Sequence, residues 1–282
     1  MAPGRRSTAG RRGQPRRVVV KLGGELLEQP EDLTRVARGI AAIARRVSVI
    51  VVHGGGKEID AALAVAGIEK RQVDGLRVTD AATLDVVVAV LAGTINTRLV
   101  AAVRRAGGAP VGLTGADATL GLVRRAEPIV SIAGETVDLG LVGAPSGNEA
   151  PRLLDELLAA RYVPVLACIG YARTGELLNV NADTLASRIA AQVGAARLVI
   201  AGGTSGVLDT DGATIPRLTS GDAAALIRQG TANKGMVAKL QACRAALRGG
   251  VADVLIANGL TVPFDALVDA VMAPAGCTQV VR

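Results

Sequence analysis

Two stretches of this 282-residue sequence bring together residue types that could do chemistry: Lys21-Leu22-Gly23-Gly24 and His53-Gly54-Gly55-Gly56. Each follows a short β-branched run and precedes residues with a helical pattern. Glycine lets the backbone approach a ligand closely, and the free N–H groups of a helix N-terminus favour an anion. Tight turns use glycine pairs too, so Lys21 separates the two readings. The chain holds five lysines against 27 arginines, so a lysine inside the first turn marks a place that wants a compact ammonium rather than a guanidinium fork. A fixed cation beside bare amides suits phosphoryl transfer, in which the protein's work is positioning and charge neutralisation.

Two further clusters lie downstream. Asn179-Val180-Asn181-Ala182-Asp183 alternates polar residues, which an extended segment would turn to one side, with Asp183 at or near the cap of the next helix. The pattern suits either an N-cap with an Asx turn or a polar ligand cradle. Asn233-Lys234-Gly235-Met236-Val237-Ala238-Lys239 places two more lysines at a helix start. Lys234 reads as a surface residue, whereas Lys239 sits among apolar neighbours. His53, the single histidine, has no Ser, Cys or Asp partner pattern and reads as a brace for its glycine turn. Neither glycine cluster is a Walker A motif or a dinucleotide fingerprint, and no metal-ligand spacing is present.

The elements that must hold these clusters alternate in type. Residues 18–22, 47–53, 163–169, 197–201 and 253–257 read as strands, several of them continuously apolar as in a sheet buried on both faces, and residues 112–114 follow another short strand. Helical patterns cover 31–46, 57–66, 81–106, 152–160, 183–194, 221–230, 236–248 and 262–272, and small hairpins are expected over 120–145. Repeated βα units predict an α/β fold, a three-layer αβα sandwich with a mostly parallel central sheet, and the glycine clusters fall where such sheets bind ligands.

The net charge of +7 is local. Residues 1–17 hold six arginines and no acid; without them the chain has 26 basic against 25 acidic residues. That start is expected to be a disordered tail, since its glycines and prolines resist the amphipathic helix of a transit peptide and no apolar core of a secretory signal follows. Nucleic-acid binding is excluded by a neutral body with two tyrosines, one phenylalanine and no tryptophan. The longest apolar tracts, such as 86–95, are about half the roughly 18–20 residues a bilayer needs. Cys168, Cys243 and Cys277 are scattered and odd in number, as in a reducing cytoplasm.

Taken in order, six segments over residues 18–282 resemble the amino acid kinase family, and within it the branch acting on acetylglutamate. They are the two glycine clusters, Gly75-Leu76-Arg77-Val78-Thr79-Asp80, Leu91-Ala92-Gly93-Thr94-Ile95-Asn96, Asn179 to Asp183, and Gly235 to Lys239. The resemblance implies a single kinase domain, its N-terminal half binding N-acetyl-L-glutamate and its C-terminal half ATP, with transfer of the γ-phosphoryl to the side-chain carboxylate. It implies that Lys21 and Lys239 neutralise the moving phosphoryl and that Asp183 holds both lysines. Gly24 and Gly55 would aim amides at the phosphoryl, and Arg77 would clamp the α-carboxylate as a bidentate fork. Asn179, Asn181, Gly55 and Gly56 would hold the acetylglutamate. Gly23, Gly24, Gly203, Thr204, Ser205, Gly206, Gly235 and Met236 would line the nucleotide site, with Mg²⁺ bridging its phosphates.

Three places depart from the family pattern. Gly202-Gly203-Thr204-Ser205 stands where Thr-Asp or Ser-Asp is usual, Lys234 precedes Gly235-Met236, and Gly115-Ala116-Asp117 lacks a lysine. Arginine-inhibited members form hexamers through a long N-terminal helix, which residues 1–17 are too short and broken to supply. A homodimer paired through residues 81–106, with little arginine inhibition, is the expectation. The rival readings are a kinase for acetylaminoadipate, one methylene longer, and a weakly catalytic sensor of the same fold.

Overall fold

Continuous β-branched runs bury both faces of a strand, so they belong at the centre of a sheet covered by helices. In the computed structural model, which describes residues 16–282 except 132, 148–150, 231, 233, 270 and 271, these runs form such a sheet. Its strands are β1 (Arg17–Leu22), β2 (Ser48–His53), β3 (Pro110–Thr114), β4 (Val163–Ala167), β5 (Arg197–Gly202), β6 (Arg217–Thr219), β7 (Asp253–Asn258) and β8 (Cys277–Val281). Their order is β6-β8-β7-β5-β1-β2-β4-β3. The six strands from β7 to β3 run parallel; β8 is antiparallel to β7, and β6 follows β8. The edge pair β8 and β6 was not foreseen, because their short, mixed sequences carry no buried-strand pattern.

The helices are α1 (Pro30–Ala44), α2 (Gly56–Val65), α3 (Ala81–Arg105), α4 (Arg152–Ala159), α5 (Ala182–Gln192), α6 (Ser220–Arg228), α7 (Lys234–Arg248) and α8 (Phe264–Asp269). On one face α1 packs against the end of α3 and against α8; on the other α5 packs against α7, and α7 against α6. This is the αβα sandwich expected, with the hairpins of the middle region present at Val123–Arg125 with Gly143–Pro145 and at Ile129–Val130 with Thr136–Val137.

Two boundaries differ from the sequence reading. Arg16 and Arg17 belong to the fold rather than to the tail: Ser48 N–H donates to the Arg16 carbonyl, and Arg17 opens β1 with its guanidinium 2.6 Å from Asp155. The earlier arginines lie outside the described residues. The helix over 81–105 is continuous, but its middle, Ala89–Ile95, winds as a π-helix. By length and composition α3 could cross a bilayer, which the 86–95 tract alone did not suggest; here it packs on α1 and β3, with Ile95 and Leu99 fully buried.

Two buried polar clusters lock the sheet. Arg197 at the start of β5 is bonded by both nitrogens of its fork to Asp253 on β7, at 2.8 and 2.7 Å, and donates to the Leu267 carbonyl beneath α8. Gln279 of β8 adds a 2.7 Å bond to the same carboxylate. Burial opposes the charge of Asp253, yet Arg197 and Gln279 outweigh it and hold the carboxyl below its ordinary pKa. At the other cluster, His53 is fully buried at the end of β2. Asn96 on α3 donates through Nδ2 to His53 Nε2 at 3.1 Å and to the Val165 carbonyl at 2.9 Å, so Nδ1 carries the proton and donates to the Gly54 carbonyl at 3.2 Å. The histidine is the brace that the sequence suggested.

Each cluster generates a prediction. Arg197→Leu leaves a half-buried carboxylate without its partner and should cost about 3–5 kcal/mol in denaturant unfolding, whereas Arg197→Leu with Asp253→Leu should recover much of that loss. The pair's contribution is present above the ordinary carboxylate range and disappears as pH falls through the lowered Asp253 pKa. Burial pushes the His53 pKa down to about 4, outweighing its bond to the Gly54 carbonyl. Between pH 6.5 and about 4 the unfolded chain therefore takes up a proton that the fold refuses, and stability should drop across that window. In nitrogen NMR the one imidazole should stay neutral with Nδ1 protonated at pH 5.5; a charged ring there would contradict the burial.

Candidate active site

The register of the parallel strands brings four chain segments to one level. Leu22 at the end of β1 is paired with His53 on β2 and with Ala201 on β5, and Ala167 of β4 lies beside His53. The glycine turns after β1 and β2 and the loop after β5 therefore meet at the carboxyl edge of the sheet. Gly23 N–H donates to the Ala201 carbonyl at 2.8 Å. A Cβ on Gly24 would stand 2.9 Å from Gly55 Cα, so the two turns approach backbone to backbone. A Cβ on Gly55 would collide with Ile95 of the π-turn, which fixes the start of α2 against α3. Gly55 is also the N-cap of α2 and offers no side chain to its first amides, leaving Gly56 and its neighbours able to bind an anion.

Lys21, one residue before the end of β1, is buried together with Asp183 in the first turn of α5; their side chains meet at 2.9 Å. Burial alone would lower the lysine pKa, but Asp183, aided by Glu25, raises it above the ordinary value. The ammonium is therefore held charged in the interior, beside the N-terminus of a helix whose dipole steadies the carboxylate. Among the described residues, Lys21 is the only ion-pair partner of Asp183. Lys239 comes from α7 on the other side of the Gly202 position, with its Cε 3.9 Å from where a Cβ there would stand. The expectation that Asp183 grips both lysines is met for Lys21 alone.

Two cavities flank this pair. The first, about 200 Å³, is lined by Gly54, Gly55, Gly56, Arg77, Asn179 and Asn181, with Gln72, Gly75, Leu76, Leu91 and Cys168 among its other walls. Arg77 is buried there. Its Nη2 donates to Asp60 at 2.5 Å and its Nη1 has no partner among the described residues. An orphaned guanidinium nitrogen in a cavity wall is a site for an anionic group. Because Asp60 already takes Nη2, the bidentate fork expected of Arg77 is halved. Burial opposes the charge of Asp60, but Lys70 and Arg77 overcome this and keep its carboxyl below the usual range.

The asparagines divide between the two roles left open for them. Asn181 is the N-cap of α5: its Oδ1 accepts from Asp183 N–H at 2.9 Å and Thr184 N–H at 3.1 Å, so only its amide nitrogen remains for a ligand. Asp183 is consequently in the first turn, two residues past the cap and so near it as expected. Asn179 donates to Thr79 Oγ1 at 3.2 Å across the cavity wall.

The second cavity, about 260 Å³, is lined by Thr204, Gly206, Val207, Leu208, Asp209, Thr210, Leu226, Ala232 and Met236. Gly206 has φ +67°, and a Cβ there would collide with Thr278 Oγ1, so this loop turns as only glycine allows comfortably. Ser205 contributes its carbonyl to Thr214 Oγ1 at 2.9 Å; Gly203 and Gly235 are exposed at the margin. Three contributors were not anticipated: Glu25, whose Oε1 accepts from Gly203 N–H at 2.8 Å, Asp60 and Thr79. Glu25 follows the first glycine turn directly, an acid beside the cations, and that adjacency was the available signal. The partners of Asp60 and Thr79 lie on other elements and leave no trace in spacing.

Comparison with known proteins agrees with this geometry. Residues 16–258 match the family model described as the amino acid kinase family. The acetylglutamate kinase of Parvibaculum lavamentivorans is 42% identical over 230 residues, covering 80% of this chain and 75% of that protein. That of Sorangium cellulosum is 44% identical over 229 residues, covering 79% and 80%. Among solved structures, N-acetylglutamate synthase from Neisseria gonorrhoeae, complexed with coenzyme A and N-acetyl-glutamate, superposes with a TM-score of 0.79 at 24% identity. That match covers 95% of this chain, which spans 60% of the synthase chain. Carbamate kinase from Giardia lamblia bound to AMP-PNP gives 0.67 at 14% identity, covering 95% and 98%. These two matches bear on the fold alone. With the family model spanning most of its length and relatives above 40% identity along four-fifths of it, the chain belongs to the amino acid kinase family.

Proposed function

We propose that this chain is an acetylglutamate kinase: it moves the γ-phosphoryl of ATP to the side-chain carboxylate of N-acetyl-L-glutamate, a step of arginine biosynthesis. The observation that carries the reading is the cavity between the β2 glycine turn and the start of α5, whose wall holds a buried Arg77 nitrogen without a partner among the described residues. The names of the 42–44% identical relatives favour it over the longer acetylaminoadipate and over a sensor.

The roles follow from the chemistry. The acceptor is a carboxylate and needs no base, which suits a site whose histidine is buried and neutral. Arg77 takes the α-carboxylate through Nη1, and Asn179, Asn181 and the Gly55 and Gly56 amides hold the rest of the acetylglutamate. The 260 Å³ cavity takes the base and ribose of ATP, with Met236, Thr204 and Ser205 near it and Gly203, Gly206 and Gly235 shaping the entry. Its phosphates point towards Gly23, Gly24 and Lys239. Lys21, kept charged by Asp183, and Lys239 neutralise the charge that spreads over the transferred group. Among the described residues no group of three His, Cys, Asp or Glu side chains is gathered for a metal. Mg²⁺ therefore fits as an ion carried on the nucleotide's own phosphates, where it offsets their charge.

We place the reaction in the cytoplasm, where the buried thiols stay reduced; burial pushes Cys168 up to about 12 and raises Cys243 as well, leaving both unreactive. A homodimer through α3 is supported by its outward stripe of Val86, Ala89, Gly93, Thr97 and Val100, each exposed or half-buried.

Turnover with ATP and acetylglutamate, its one-carbon-longer homologue or free glutamate tests the reaction; no acyl phosphate from the first would refute it. Lys239→Ala should lower kcat by roughly 10²–10³, as loss of one charge-stabilising group does. Arg77→Ala should raise KM for acetylglutamate about tenfold or more, the size of one lost charge-assisted bond. Light scattering should give twice the chain mass, and Gly93→Arg in the α3 stripe should give the monomer.

A further inference from the structure

The side chain missing at position 202 leaves a slot that Glu25 fills. A Cβ on Gly202 would stand 2.9 Å from Glu25 Oε1, and a Cβ on Gly23 would collide with the same carboxylate. The carboxylate thus lies between the β1 turn and the β5 loop, two parts of the chain 178 residues apart, and accepts the Gly203 N–H at 2.8 Å. Lys21 feels its charge. The kinase reading brings the transferred phosphoryl to that cation and the nucleotide's phosphates to Gly23 and Gly24, the turn that Glu25 follows, with the Gly203 amide across from it.

Resting on that reading, we propose that Glu25 is a placeholder anion, which fills the phosphate position at Gly203 and Lys21 while no nucleotide is bound and is displaced when ATP arrives. Its situation suits displacement. Glu25 rides on a single 3₁₀ turn, Gly24–Leu26, is half-buried, and has no ion pair within 4.0 Å among the described residues. One hydrogen bond and a screened attraction hold it, and a triphosphate offers several times its charge. The arrangement gives the Gly203 amide an acceptor and adds negative charge near Lys21, whose ammonium is already paired with Asp183. It also accounts for Gly202, where a side chain would press on the Glu25 carboxylate. Glu25 would act as a positioning residue with an effect on nucleotide affinity, not on the chemical step.

The test is calorimetric titration of the whole protein with inorganic tripolyphosphate, and separately with ATP in the presence and absence of Mg²⁺, for the unaltered chain, Glu25→Gln and Glu25→Ala. Both variants should bind each anion roughly three- to tenfold more tightly, the size of one partly exposed charge contact, and the gap should shrink as salt is added. In turnover the gain should fall on KM for ATP and leave kcat near its original value. Glu25→Gln keeps an acceptor for the Gly203 amide, so the comparison holds even where Glu25→Ala loosens the turn. Unchanged or weaker anion binding by Glu25→Gln overturns the proposal. So does a loss confined to the Mg²⁺ titration, which would make Glu25 a ligand of the nucleotide's metal. Tripolyphosphate binding does not depend on the acceptor, so failure of the acetylglutamate reaction is read separately from failure of this proposal.

Discussion

A lysine ammonium stays charged inside this protein because a helix N-terminus sets a carboxylate 2.9 Å from it. Everything at the carboxyl edge of the sheet is arranged around that pair. Lys21 is supplied by the central strand β1 and Asp183 by α5, so each end of the contact is anchored in regular structure rather than on a loop. A buried ion pair of this kind is a poor source of stability, because desolvation consumes most of the attraction. Its retention at the end of the central strand is better explained by what a fixed, desolvated cation does to a phosphoryl group in transfer.

Close backbone packing surrounds that cation. Gly24 and Gly55 touch across the two turns with no space for a Cβ, and the π-turn of α3 presses Ile95 and Leu91 against Gly55 from below. Beneath these, the neutral His53 and Asn96 tie the end of β2 to α3 and to β4. The result is a floor of amides with the Arg77 cavity on one side and the Met236 cavity on the other. Such positioning is the main demand of phosphoryl transfer, and it explains why a site without a catalytic base can suffice.

The glycines at 202 and 203 illustrate how one local loss is absorbed elsewhere. Without side chains there, the β5 loop would present an unpartnered amide to the site. Glu25, on the opposite turn, reaches across and accepts it. The same economy governs Arg77, half of whose guanidinium is held by Asp60 while the other half faces the cavity. In both cases a charge is steadied by a residue distant in sequence and left with something to offer a ligand.

The residues themselves determined the alternation of strands and helices, the glycine turns at strand ends and the brace role of His53. These are local properties: periodicity, β-branching and backbone freedom act over a few residues, so they can be read along the chain. Only the tertiary structure decided that Asp183 holds Lys21 and not Lys239, that Asn181 gives its oxygen to a helix cap, that Asp60 takes half of Arg77, and that Arg16 and Arg17 join the sheet. Apart from the Asn181 cap, whose partners lie two and three residues on, each is a choice among partners on different elements. Such choices follow from strand order and register, which place β1 between β2 and β5, and no local preference of the residues involved encodes that neighbourhood.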